Sequence, residues 1–535
     1  MHFDLSLGID LTVIAAYFVA IVWVGLRYSK QENDLESFAL GNRSLPWWAV
    51  LSSIIAAETS AATFLGTPGE GFKLVNYLYL QLVLGTIIGR VIVAYLFIKP
   101  FYDGHVFSIY ELLETRFGRS TRMVASSVFL LTRLLASGAR LYVAAIVLAV
   151  AFTLLAGYQP NAAQQLAIYI TSIVAITILT AVYTSIGGIK AVIWTDCIQA
   201  SVMFGGACGA IAVLLSLLSQ APDGLQLAQT TVANGLASSL ESGIKPGAGI
   251  TANLLNIFSQ DYTLWSALLG MTFTTMATHG TDQDMVQRML TAPDYKKSRL
   301  SLVLSGLADL PIGFIFLSIG VLLHVYYQQH SDPSLPQKTN EVFAYFILVK
   351  IPPGLRGLLI AGIFATAMGS LSAALNALAT SFTRDFNQTA NQSGKESVRL
   401  VKRSTYLFAL LIIVVASATA YFVIAHPDSR IIPIVLSIFG YTYGSLLGVF
   451  LLALLTRTRG SDRGNIVAMT AGFLVVACIS GLPGQLVESI NLPEPGWLSC
   501  LPTVSFPWRI MVGSLSTFAV GCLFSARHCD EISTK

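Results

Sequence analysis

Charge is scarce in this chain: Asp, Glu, Lys and Arg make up only 11% of its 535 residues, against about 25% in ordinary globular proteins. So few charges cannot coat a soluble surface of this size. Cysteine is scarce too. The six present (Cys197, Cys208, Cys478, Cys500, Cys522, Cys529) form no CxxC or other metal-type spacing, and most lie in apolar runs, where a thiol behaves as a small hydrophobe. The seven histidines are scattered, and neither an HExxH motif nor a Walker-type glycine loop occurs. No charged stretch is long enough to hold an ATPase or kinase domain. These absences argue against an enzyme and leave an ion gradient as the energy source for any uphill work. The first apolar run has no basic stretch ahead of it and reads as a retained span rather than a cleaved signal. The net charge of +4 lies in loops between apolar runs, which points to membrane topology and not to a nucleic-acid partner.

Apolar residues, 54% of the chain, fill the gap. A membrane helix needs about 20 of them in succession, and that rule gives thirteen spans: 10–28, 47–66, 75–98, 122–152, 165–185, 192–218, 262–283, 300–326, 357–383, 404–425, 431–456, 464–482 and 508–526. Several carry closely spaced Gly, Ser and Thr, such as Gly85 and Gly89, as helix–helix contacts in a membrane require. Placing the N-terminus outside puts 22 of the 32 Lys and Arg in cytoplasmic loops and tail, 7 outside, and 3 (Arg90, Arg133, Arg140) within spans. The richest cytoplasmic loops are 116–122, 294–299 and 398–404, whereas the long outside segment 219–260 carries only Lys245. The positive-inside bias therefore predicts an integral membrane protein with its N-terminus outside and C-terminus cytoplasmic, embedded in the plasma (bacterial inner) membrane.

Polar residues inside spans are costly and therefore informative. The second span holds Ala56-Ala57-Glu58-Thr59-Ser60-Ala61-Ala62-Thr63, and the seventh ends in Thr278-His279-Gly280-Thr281-Asp282-Gln283-Asp284. If 10–28 is an added helix, these clusters open two five-helix halves, 47–218 and 262–456, followed by two further helices in 464–526. An odd number of helices per half makes the halves insert with opposite orientation. Matched broken helices in inverted halves mark a central transport site, where unwound backbone offers carbonyls to a cation and N–H groups to an anionic or hydroxylated ligand.

The chain resembles the sodium:solute symporter family, the sodium/glucose and sodium/proline cotransporter group. The resemblance rests on SIYELLETRFG at 108–118, YTSIGGIKAVIWTDCIQA at 183–200, GTDQDMVQRML at 280–290 and GLLIAGIFATAMGSLSAALNALATSFTRDF at 357–386. It implies an all-α LeuT-type five-plus-five inverted repeat with one extra N-terminal helix. It also implies alternating-access symport of sodium with a small organic solute. The main sodium site would take carbonyls of Ala56, Thr59 and Thr366 and hydroxyls from the 369–370 pair. Here Gly369 precedes Ser370, so one expected ligand is absent unless water or Thr366 Oγ1 replaces it. A second site known in some relatives maps to Gly369, Ser372, Ala373 and Asp196. Only Ser372 and Asp196 keep suitable oxygens, which implies one sodium per cycle, with Asp196 guiding ion release.

For substrate, the resemblance points to Glu58, Ser60, Thr63, Gln81, Arg133, Arg140, Thr281, Asp282, Gln283 and Tyr441. Glu58 admits three readings: a ligand for substrate, a proton carrier, or an internal salt bridge to Arg133 or Arg140. The two arginines, seven apart, share one helix face about two turns from each other, so only one is expected at the cavity centre. Tyr441-Thr442-Tyr443 could form an outer gate, and Gln287-Arg288 belongs to the inner gate. A proton-coupled symporter using Glu58 and a sodium-independent uniporter are the alternative functions.

Overall fold

The computed structural model describes residues 5–28, 35–156, 160–247, 249–387, 394–426, 431–484 and 503–525. Cys500 and Cys529 lie outside them. The described residues form helices and no named strand; one isolated bridge joins Arg459 to Ser525. In chain order the main helices are α1 (Leu5–Tyr28), α2 (Trp47–Glu58), α3 (Ala61–Leu74), α4 (Leu82–Leu96), α5 (Arg119–Ala156), α6 (Ala162–Ser219), α7 (Gly224–Ala237) and α8 (Ile250–Ser259). They continue with α9 (Thr272–Gly280), α10 (Gln283–Met289), α11 (Tyr295–Gln329), α12 (Thr339–Lys350), α13 (Leu355–Phe386), α14 (Gly394–Ala425), α15 (Ile431–Leu455), α16 (Asp462–Ile479) and α17 (Phe506–Cys522).

Among the described residues nine helices are long and apolar enough to cross a membrane, and the α2–α3 pair makes a tenth, bent by 61°. The thirteen expected spans are accounted for as follows. At 58 residues, α6 would measure about 87 Å at 1.5 Å per residue, nearly three times the ~30 Å hydrocarbon layer. It turns at Gly188, whose φ of +52° is accessible to glycine at little cost, and so supplies both the fifth and sixth spans. The seventh is assembled from a π-helical stretch at Ser266–Met271, α9 and α10. The thirteenth, α17, has 17 residues. Helices α7, α8 and α12 were not anticipated from the apolar-run rule, because each is shorter than a span.

Local chemistry fixes several helix starts. Asn161 and Gln164 form a capping box on α6, each side chain accepting from the other's backbone N–H. Asp294 Oδ1 accepts from the N–H groups of Lys296 and Lys297 at the start of α11. Asp282 Oδ1 takes the Asp284 N–H at the start of α10 (2.9 Å).

The ninth span, α13, is the central member, with 89% of its apolar window buried inside the protein, whereas α1 has only 17%. The added helix is therefore peripheral, as the lipid-exposed Val19 and Trp23 show. It is pinned by Asp10, which accepts from the N–H groups of Gly354 and Gly357 and pairs with Arg356 Nε at 2.5 Å. Close helix crossing brings α4 against the seventh span: a Cβ on Gly85 would lie 1.9 Å from the Ala267 carbonyl oxygen, and one on Gly89 2.6 Å from Thr275 Cβ. That approach carries Arg90 into the interior, where it is 2% exposed.

Candidate functional site

The second span breaks where the polar cluster predicts. Thr59 (ψ +83°) and Ser60 (ψ +167°) leave helical geometry between α2 and α3. The Ser60 N–H bonds to the Glu58 carbonyl (2.9 Å) rather than reaching back four residues, which frees the Ala56 carbonyl from its helical donor. Ala56, Thr59, Thr366 and Ser370 are all buried. Ser370 Oγ donates to the Ala57 carbonyl (3.2 Å), so α13 docks directly on the unwound turn. Thr366 Oγ1 donates to the Ile363 carbonyl (2.8 Å), and Ser372 Oγ to the Gly369 carbonyl (3.1 Å). The oxygen nearest the side chain missing at Gly369 belongs to a residue the sequence did not single out: a Cβ there would lie 2.5 Å from Gln199 Oε1 and 3.4 Å from Asp196 Oδ1.

A small cavity opens beside this turn, lined by Ser60, Ala61, Ser137, Arg140, Leu141, Ala367, Ser370 and Leu371. Arg140 stacks over the Phe439 ring, 5.1 Å from its centroid, and makes no ion pair with any carboxylate among the described residues. Arg133 differs. Its Nη1 binds Asp282 Oδ2 at 3.1 Å and its Nη2 contacts Asp284. The Tyr443 hydroxyl also donates to Asp282 (2.5 Å), and Arg288 carries the chain of charges on to Asp284 (3.2 Å) and Asp196 (3.0 Å). Asp196 in turn accepts from Ser53 Oγ (2.5 Å). Arg140, rather than Arg133, is thus the arginine at the cavity.

Of its three readings, Glu58 takes the internal ion pair, but with neither Arg133 nor Arg140. Its two carboxylate oxygens lie 2.7 and 2.6 Å from Arg90 Nη2, and one of them contacts His279 Nε2. Arg90 is counted among the span charges in the sequence, but nothing in the linear pattern brings residues 32 apart into contact. Other candidates also take up structural posts. Gln81 Oε1 accepts from the Glu241 N–H (3.2 Å). Gln283 holds the 107–109 loop, accepting from Ile109 N–H and donating to the Phe107 carbonyl. Thr281 is fully buried, with its Oγ1 on the Ala277 carbonyl. Tyr441 faces Phe473 on α16, with centroids 6.5 Å apart, so Tyr443 is the ring that reaches the charged cluster. Ser60 lines the cavity, and Thr63 Oγ1 lies 3.5 Å from Ser60 Oγ. Ser137 joins them unforeseen, four residues after Arg133 on the same face of α5.

At the charge-rich end, three of the quoted motifs meet. Asp385 accepts from Ser108 Oγ (2.9 Å), Ser126 Oγ (2.6 Å) and Arg122 Nε (2.9 Å). Arg122 also contacts Glu114 and Glu111, and Arg384 Nε binds Glu111 at 2.5 Å. The Tyr110 hydroxyl donates to the Thr281 carbonyl (3.0 Å), and Gln287 Nε2 to the Ala39 carbonyl (2.7 Å). This end is closed by ion pairs and hydrogen bonds.

Residues 38–472 match the model of the sodium:solute symporter family. The chain is 26% identical over 504 residues to the sodium/sialic acid symporter SiaT of Proteus mirabilis, covering 90% of each chain. It is also 26% identical to the sodium-coupled monocarboxylate transporter 2 of Bos taurus, over 96% of this chain and 83% of that one. The sodium-dependent multivitamin transporter of Oryctolagus cuniculus matches at 26% identity, over 97% of this chain and 82% of that one. Among solved structures, a substrate-bound, outward-open Na+-coupled sialic acid symporter superposes with a TM-score of 0.75 at 24% identity, over 96% of this chain and 97% of that one.

Proposed function

Because the chain belongs to the sodium:solute symporter family, and so is an integral membrane protein that couples sodium movement to transport of a small organic solute, we propose that the solute is a small carboxylate held by Arg140. The observation that carries this reading is the contrast between two arginines on one face of α5. Arg133 is neutralised by Asp282 and Asp284, while Arg140 meets the cavity with a phenyl ring and, among the described residues, no carboxylate. A half-buried guanidinium at a cavity inside a membrane protein calls for an anion, and its planar fork matches a carboxylate in a bidentate pair. Ser60, Ser137 and Ser370 around it offer hydroxyls to the rest of a polar solute. Relatives named for sialic acid and for monocarboxylates agree with an acidic substrate.

The sodium ion sits between the carbonyls of Ala56, Thr59 and Thr366 and the Ser370 hydroxyl, with Gln199 Oε1 standing where a hydroxyl at 369 would be. A hard monovalent cation suits neutral oxygens of this kind. One ion moves per cycle, because Asp196 is engaged by Ser53 and Arg288. The cluster around Asp385 and Arg122 closes the cytoplasmic side beneath the cavity, with the N-terminus outside and the C-terminus inside the plasma (bacterial inner) membrane, and an inward sodium gradient makes the direction uptake. Binding of sodium then organises the turn at Ser60, and rocking of the broken-helix bundle exposes the site inward.

The test is uptake of a panel of small carboxylates and matched neutral amides into proteoliposomes, with and without an inward sodium gradient. Sodium-dependent accumulation of a carboxylate, lost for its amide, is expected. Accumulation of neutral solutes alone would refute the substrate class.

A further inference from the structure

Four ionisable side chains beside the two helix breaks take no part in the reading above. Glu58 is the last residue of α2. Arg90 lies in α4, His279 one residue from the end of α9, and Asp309 in α11. Arg90 Nη2 binds both Glu58 oxygens (2.6 and 2.7 Å) and Asp309 Oδ2 (2.8 Å), while its Nη1 donates to Ser305 Oγ (3.0 Å). Asp309 also accepts from Thr86 Oγ1 at 3.3 Å. His279 touches Glu58 through Nε2 and is fixed on its far side, with Nδ1 3.2 Å from the Thr275 carbonyl and 3.0 Å from Thr278 Oγ1. Arg90 and His279 are 2% and 4% exposed.

The placement is symmetric with respect to the inverted halves. Each half contributes one group from its first span (Glu58, His279) and one from its second (Arg90, Asp309). Both first-span members abut an unwound turn: Thr59–Ser60 follows Glu58, and Thr281–Asp282 follows Gly280, next to His279. Within the five residues 56–60, the sodium site proposed above takes the carbonyls of Ala56 and Thr59, Ser60 lines the cavity, and the Glu58 carboxylate is held by Arg90 and His279. Charges held in a low-dielectric interior are anchored far more firmly than in water.

We propose that Glu58, Arg90, His279 and Asp309 form a latch that locks the two unwound turns to each other, so that the sodium-facing carbonyls keep their geometry as the bundle moves. Glu58 is then a positioning residue for sodium and touches neither ion nor solute. This inference rests on the sodium site proposed above.

The experiment uses the purified full-length chain in detergent, with sodium chloride titrated against choline chloride at constant ionic strength. Binding is read as the rise in melting temperature. In Glu58→Gln, Arg90 keeps Asp309, so the fold retains a balanced pair. The half-saturating sodium concentration is expected to rise about tenfold or more, equivalent to about 1.4 kcal/mol. His279→Leu leaves the Glu58–Arg90–Asp309 contacts whole and provides the second arm should Glu58→Gln not fold. It too is expected to weaken sodium binding several-fold. Combining both substitutions should weaken it no further than Glu58→Gln alone, because they cut one link. A purely structural role would lower the sodium-free melting temperature and leave the sodium titration where it was, and that result overturns the latch. Were Glu58 a direct sodium ligand, removing His279 would tighten sodium binding or leave it unchanged, which also overturns it. If the wild-type protein shows no sodium-dependent shift at all, the sodium site itself is wrong and the latch falls with it.

Discussion

Replacing Arg140 by Gln separates the two arginines of α5 by their energetics. On the reading proposed above, the solute-bound state pairs the guanidinium with a carboxylate, and removing one partner of such a pair costs about 2–5 kcal/mol. At about 1.4 kcal/mol per tenfold, the KM for the carboxylate should rise roughly 30- to 3000-fold. Without solute the sign is different. Arg140 has no carboxylate partner among the described residues, so Arg140→Gln removes a half-buried cation that lacks a counter-charge and should leave the melting temperature unchanged or raise it. Arg133→Gln does the reverse. It leaves Asp282, 1% exposed, without its arginine, while Asp284 keeps Arg288, and a broken buried pair costs about 3–5 kcal/mol of stability. The assay is a paired measurement on both variants: sodium-driven uptake in proteoliposomes, and thermal unfolding in solute-free detergent. The reasoning is refuted if Arg140→Gln changes the KM by less than about threefold, or if it lowers the melting temperature as much as Arg133→Gln.

Three further outcomes are expected. Ser370→Ala removes the hydroxyl that reaches the unwound turn at Ala57. The sodium concentration for half-maximal uptake should rise about tenfold, within the ~1–2 kcal/mol expected of a hydrogen-bonding ligand, with maximal rate recovered at high sodium; an unshifted sodium curve would remove Ser370 from the site. Gly85→Ala places a Cβ against backbone at Ala267 and should destabilise by about 1–3 kcal/mol, whereas Gly205→Ala, with nothing within 4 Å, serves as the tolerated control in the same thermal assay. Glu341, on α12 outside the spans, has its carboxyl raised above the usual range by burial, with Lys338 opposing. Its ionisation therefore costs stability that returns as pH falls through the raised value. Glu341→Gln should melt above the wild type at neutral pH, with the gap closing on acidification; a gap independent of pH would show that burial of that charge is not what costs stability.

Much of the architecture was legible in the chain because its cause is local or cumulative. Span number follows from apolar run length, and the bend in the second span follows from a polar cluster that hydrocarbon cannot solvate. Even so, the apolar-run rule misses α7, α8 and α12, each shorter than a span, whereas the fifth and sixth spans it gives separately are the two arms of α6 on either side of the turn at Gly188. The family motifs come together in the fold. SIYELLETRFG and the 357–386 segment meet at Asp385, and the Gly369–Ser370 pair lies beside the broken helix.

Roles within those neighbourhoods were another matter. Arg133, Arg140 and Glu58 were all conspicuous as charges in spans, yet the sequence could not say which were neutralised. The answer depends on pairings such as Glu58 with Arg90 and Arg133 with Asp282, across 32 and 149 positions. By itself the sequence determined an all-helical membrane protein with two broken helices and a deficit of hydroxyls at 369. Only the tertiary structure decided that Gln199 stands in that gap, that Glu58 faces Arg90, and that Arg140 alone of the α5 pair meets the cavity. The physical reason is that hydrophobicity and helix breaking act through neighbours in sequence, whereas a buried charge is defined by whatever helix packing brings within about 3 Å of it.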